Sequence, residues 1–94
     1  MPRRQQEKDL HVALMTSQFD FMGNEETQLK DIYQLVQAEY GQYCDDEFKC
    51  NQCCRNGHPF PEWQHVVRAT LQLAKIKGYV QRARFGYWQR SLVL

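Results

Sequence analysis

The sequence predicts a mainly α domain with a small β-hairpin, three helices followed by two short strands. Three observations predict it. Apolar residues recur at helical spacing in three separate stretches. The period changes to two directly after Gly78. Gly, Pro and Asn fall between these stretches, where they start or end elements. At 94 residues the chain has the size of one domain with one modest core. Residues 1–94 are therefore read as a single unit, with residues 1–5 expected to be disordered.

The first helix is expected over 6–22, because Leu10, Ala13, Leu14, Ser17 and Phe21 share one face and Val12, Met15 and Phe19 widen it. Gly23-Asn24 breaks that pattern. Asn24 is a suitable N-cap, with Glu25 and Glu26 placed against the helix dipole, so a second helix is expected over 25–40. Its apolar side is Leu29, Ile32, Tyr33, Val36 and Tyr40, its polar side Lys30, Asp31, Gln34, Gln37 and Glu39, and Gly41 is expected to end it as a C′ glycine. Residues 42–60 show no period and read as a loop unusually long for a small domain.

A third helix is expected over 61–77, opened by Pro61 at its first position with Glu62 next and closed by Gly78. Trp63, Val66, Val67, Thr70, Leu71 and Ala74 form its core stripe, which turns Gln64, His65, Arg68, Gln72 and Lys75 away from the core. Tyr79–Arg84 and Tyr87–Leu92 are rich in aromatic and β-branched residues and join through Phe85-Gly86, giving a hairpin over about 79–91. Trp63 lies on the apolar stripe and Trp88 alternates with Gln89, so both belong to the core. Tyr87 and Phe85 at the hairpin tip are open to either a packing or a contact role. This order of elements is that of a winged helix-turn-helix, with a long Cys-containing loop between helices two and three.

Charge is divided unevenly. Residues 1–54 hold five Lys/Arg against ten Asp/Glu, whereas residues 55–94 hold seven Lys/Arg against Glu62 alone. A basic segment of that kind is the electrostatic footprint of a phosphate-binding face, although it also serves solubility or pairing of the two halves. On the third helix Arg68 has the chemistry for a bidentate bond to guanine, Gln64 or Gln72 for adenine, and His65 and Lys75 for bases or phosphates. Arg82, Arg84 and Arg90 extend the face along the hairpin, where Arg82 and Arg84 are expected on one side of the strand, and Arg55 precedes the helix. Double-stranded DNA is the expected partner.

All four cysteines fall within residues 44–54, with His58 just beyond. Cys50 and Cys53 have the spacing that lets two thiolates chelate one tetrahedral ion, and Cys44 with His58, or with Cys54, would complete a structural zinc site. Reduced thiols and disulfides are the other two readings. His11 and His65 are expected on the solvent or phosphate side rather than as ligands.

The run Pro61-Glu62-Trp63-Gln64-His65-Val66-Val67-Arg68-Ala69-Thr70-Leu71, then Leu73-Ala74-Lys75, Lys77-Gly78-Tyr79-Val80 and Phe85-Gly86-Tyr87-Trp88, resembles the amino-terminal winged-helix module of Mrr-type restriction proteins. In outline the resemblance covers residues 26–91, with Leu29-Lys30-Asp31-Ile32-Tyr33 in the earlier helix, and only 61–88 is specific. The Cys44–His58 segment departs from the simplest form of that pattern. Such modules occur fused to HNH or related nuclease domains. The resemblance implies target recognition in a prokaryotic restriction system, with modified DNA as a candidate target, and a nuclease domain in cis or in trans.

Catalysis finds no support in the chain itself. There is no GxSxG elbow, Gly-rich phosphate loop or HExxH helix, and the Cys, His and Asn of the loop lack the ββα-metal pattern of an HNH nuclease. The alternative to DNA binding is a protein-protein interaction winged helix without DNA contact. No apolar run approaches the about 20 residues that span a bilayer, and MPRRQQEKDL lacks a signal-peptide apolar region, so a cytoplasmic protein is expected. The chain's close at Leu94, just after the hairpin, reads as a domain edge.

Overall fold

The computed structural model describes residues 4–49 and 60–91. Within them three helices, α1 (Gln5–Ser17), α2 (Leu29–Tyr40) and α3 (Glu62–Lys77), are joined to a three-stranded antiparallel sheet of β1 (Thr27–Gln28), β2 (Val80–Arg84) and β3 (Tyr87–Arg90), in the order β1-β3-β2. Leu10 and Leu14 of α1, Ile32 and Val36 of α2, and Trp63, Val66, Val67, Leu71 and Ala74 of α3 close one core with Phe19, Met22, Val80 and Trp88. Both tryptophans are buried there, as their positions in the pattern predict. Among the described residues no helix is long and apolar enough to cross a membrane.

The first helix is shorter than the 6–22 expected. It stops at Ser17 because Gln18 and Phe19 both turn left-handed, at φ 56° and 58°, before a short 3-10 turn over Asp20–Met22. Left-handed backbone costs a non-glycine residue about 1–2 kcal/mol. Burial of the Phe19 ring, tilted against Phe21 at 5.7 Å between centres, offsets that cost and brings Phe19 and Met22 both into the core.

The second helix begins four residues later than the capping pattern suggests. Asn24 does not cap it, because Thr27 and Gln28 are drawn into the sheet, pairing with Trp88 and Tyr87 of β3. The first helical N–H, that of Leu29, is instead satisfied at 3.1 Å by the carbonyl of Gly86 in the hairpin turn. Gly41 is not a left-handed cap either. It stays right-handed and the chain tightens into a second 3-10 turn over Gly41–Tyr43.

The long connection to α3 is closed where it is described. The Glu62 N–H donates to the Phe48 carbonyl at 2.8 Å and Lys49 bridges Pro61, so the segments flanking residues 50–59 meet. Arg4 ties this junction to α1: it grips the fully buried Glu7 carboxylate through two bonds at 2.9 and 2.8 Å, reaches Asp45 at 3.2 Å and lies 3.8 Å from the Phe48 ring centre. The described chain begins at Arg4, inside the 1–5 stretch expected to be disordered, and Gln5 already opens α1. α3 runs within one residue of its expected span, with Pro61 as its cap rather than its first turn, and Gly78 ends it at φ 85°.

Candidate nucleic-acid interface

The side chains proposed from the sequence for DNA contact sit on α3 and the hairpin. Gln72 and Lys75 are exposed on α3, whereas Gln64, His65 and Arg68 are half-buried. Arg68 does not stand free on the helix: its Nη1 donates to the Tyr33 hydroxyl at 3.0 Å, which orients the guanidinium from the neighbouring helix. The Tyr33 ring packs edge-on against Trp63, at 5.8 Å between centres, and Trp63 Nε1 donates to Asp46 at 2.8 Å. A chain of contacts therefore runs from the loop carboxylate through the core to the face of α3.

On the hairpin the expected pairing of Arg82 with Arg84 fails. A bulge between them sets Arg82 opposite Trp88 and Arg84 opposite Tyr87. Since neighbouring residues of β3 point to opposite faces of the sheet, so do the two arginines. Arg82 lies over Phe85 and Trp88, at 5.4 and 5.8 Å from their ring centres, while Arg84 stacks at 4.0 Å on Tyr87 and forms an exposed ion pair with Glu26 at 3.5 Å. Arg90 is half-buried, and its Nε is enclosed without a hydrogen-bond partner among the described residues.

Arg68, Gln72 and Arg82 converge. With Leu29, Leu71, Phe85, Gly86 and Trp88 they line a concavity of about 290 Å³ between the start of α2, α3 and the hairpin. Its floor is apolar and its mouth carries two guanidinium groups and an amide. Tyr33 and Leu29 were missed as parts of this site. The helical stripe places both on an apolar face, and only the tertiary fold shows that one orients Arg68 and the other lines the cavity.

Arg55, Cys50, Cys53, Cys54 and His58 lie outside the described residues. Of the cysteine cluster only Cys44 is described. Its Sγ donates to the Tyr40 carbonyl at 3.4 Å, and burial, helped by the Asp46 charge, pushes the thiol up to about 11, so that it is held protonated. Among the described residues no three His, Cys, Asp or Glu side chains gather as a metal-binding group. The Asp45 carboxyl lies below its usual range, held there first by the Glu47 N–H at 2.9 Å and then by Arg4 against the opposing effect of burial. His11 is half-buried: its Nδ1 lies 2.8 Å from Oγ1 of the buried Thr70, so one side of the ring serves the contact of α1 with α3.

Compared with protein families, curated proteins and solved structures, the chain matches none.

Proposed function

We propose that the chain is a non-catalytic winged helix-turn-helix module that binds double-stranded DNA, laying α3 in the major groove with the hairpin as a wing against the neighbouring backbone or minor groove. The observation that carries this reading is the convergence of Arg68 and Gln72 of α3 with Arg82 of the hairpin around one concave edge. The order of elements supports it, with β1 between the first two helices and the hairpin after the third. So does the charge, since Glu62 is the only carboxylate side chain in residues 55–94. Arg68 is the base-reading candidate, being held on the helix by Tyr33, while Lys75 and Arg82 suit phosphates. From the resemblance of residues 61–88 to the Mrr-type module, we propose further that its place is target recognition in a restriction system, with modified DNA as a candidate target and a nuclease domain in cis or in trans.

Fluorescence anisotropy with labelled duplex DNA across a salt series tests this reading. Affinity should fall with salt, by about 0.9 logarithmic units per decade for each phosphate contacted. No binding at low salt would refute it and favour docking of a protein partner.

A further inference from the structure

We propose that the concavity between α3 and the hairpin receives a single nucleobase extruded from the duplex, and that Phe85 fills the gap left in the base stack. This rests on the DNA-binding reading above and states what that face does to its ligand. Phe85 is 90% exposed at the tip of the hairpin, between Arg84 and Gly86. A phenylalanine in that position buries little of its own surface in the fold, yet its mount is firm. The Gly86 carbonyl accepts the first N–H of α2, and β3 is held on β1 through the Thr27–Trp88 and Gln28–Tyr87 pairs. An apolar side chain on a fixed mount is what protein wedges insert between base steps, unstacking them.

The receptacle lies beside the wedge. The concavity measures about 290 Å³, at the small end of ligand pockets, which suits one planar ring system better than a longer ligand. Leu29 and the edge of Trp88 left uncovered, over the buried Leu71, supply the apolar surface against which an unstacked base is held. The exposed Gln72 amide at the mouth both donates and accepts, matching a Watson–Crick edge. Arg82 brings positive charge to the same mouth, where the phosphates flanking an extruded nucleotide would pass, and Arg68 beside it is left to the base edges. Phe85 itself borders the concavity, so wedge and receptacle can act on one base pair.

Extrusion breaks a base pair, so a duplex that already carries a weak pair should bind better. The test compares three short duplexes by anisotropy at low salt, identical except for a matched pair, a mismatch or an abasic site at the centre. The mismatched duplex should bind about tenfold tighter than the matched one. It should also bind tighter than the abasic duplex, which has no base to place in the concavity; mere preference for bendable DNA would give the opposite order. In Phe85→Ala, and in Gln72→Trp, which blocks the mouth from an exposed position, the ratio of mismatched to matched affinity should fall toward one. Equal binding of all three duplexes by the parent, or an abasic duplex bound best, overturns extrusion while leaving DNA binding in place. Failure to bind any duplex overturns both.

Discussion

If the chain binds DNA as proposed, the Tyr33–Arg68 bond distinguishes a positioned base-reading arginine from a merely basic surface. Tyr33→Phe removes one oxygen and keeps the ring that packs edge-on against Trp63, so the core is spared. A hydrogen bond from a charged donor is worth about 1.5–3 kcal/mol when well buried, and here both side chains are half-buried, so the folding loss should be about 1 kcal/mol. In binding the loss comes from order. A free arginine carries about 1.5–2 kcal/mol of rotamer entropy. If the Tyr33 hydroxyl removes roughly half of that beforehand, Tyr33→Phe should weaken duplex binding by about 1 kcal/mol, or about fivefold. Arg68→Ala should cost about 1–3 kcal/mol and relax discrimination at one base pair. The double variant should bind like Arg68→Ala, because the contribution of Tyr33 passes through the guanidinium. Anisotropy on the four proteins, with urea unfolding to confirm that each is folded, completes the cycle. Additive losses would refute the positioning role, and tighter binding by Tyr33→Phe would show that the bond holds Arg68 away from DNA.

Arg82→Ala should lower the salt slope of duplex binding by about one unit, while Arg84→Ala should lower it less, since the bulge turns Arg84 to the other face beside Glu26. Trp63→Ala should cost about 3–5 kcal/mol in urea unfolding, because the indole is 2% exposed and its N–H is bonded to Asp46. Cys44 should be alkylated slowly at pH 8 and faster as pH approaches 11, and peptide mapping after timed iodoacetamide treatment reads this. The fold should lose stability over the same interval, from about 9 to about 11, because the folded state keeps the thiol proton longer than the unfolded one. If Cys44, Cys50, Cys53 and His58, or Cys54, hold zinc, native mass spectrometry should show its mass, and a metal-free mass with a cooperative thermal transition would end that reading.

α3 was legible because both its ends carry local signals, Pro61-Glu62 and Gly78, and six buried side chains follow one helical stripe. The hairpin was legible from the change of period. β1 was not: a strand of two residues has no period, and its existence depends on Tyr87 and Trp88 some sixty residues later. The end of α1 was hidden for a related reason, since Gln18 and Phe19 adopt a glycine-like conformation only because the core gains the Phe19 ring. At the site, residue types were readable and their grouping was not. The bulge that separates Arg82 from Arg84 leaves no mark in the alternation of β2, and the bond from Arg68 to Tyr33 joins two helices.

The acidic half of the chain bears on whether the basic half can meet a polyanion. Four of its ten carboxylates are engaged by side chains away from the basic face: Glu7 and Asp45 hold Arg4, Asp46 accepts the Trp63 indole N–H, and Asp9 accepts the Gln5 amide at 2.8 Å. These bonds fix the start of α1 and the start of α3, and none involves a residue lining the concavity. Glu26 is different, because its ion pair with Arg84 reaches the hairpin itself. Both partners are substantially exposed, so the pair is weak and screened by salt, and a phosphate approaching the hairpin would compete with it readily. Glu26→Gln should therefore raise duplex affinity modestly at low salt, with the gain vanishing as salt rises and with no loss of stability in urea. A fall in affinity would mean that Glu26 holds Arg84 in a binding posture, and the two faces of the hairpin would then both belong to the interface.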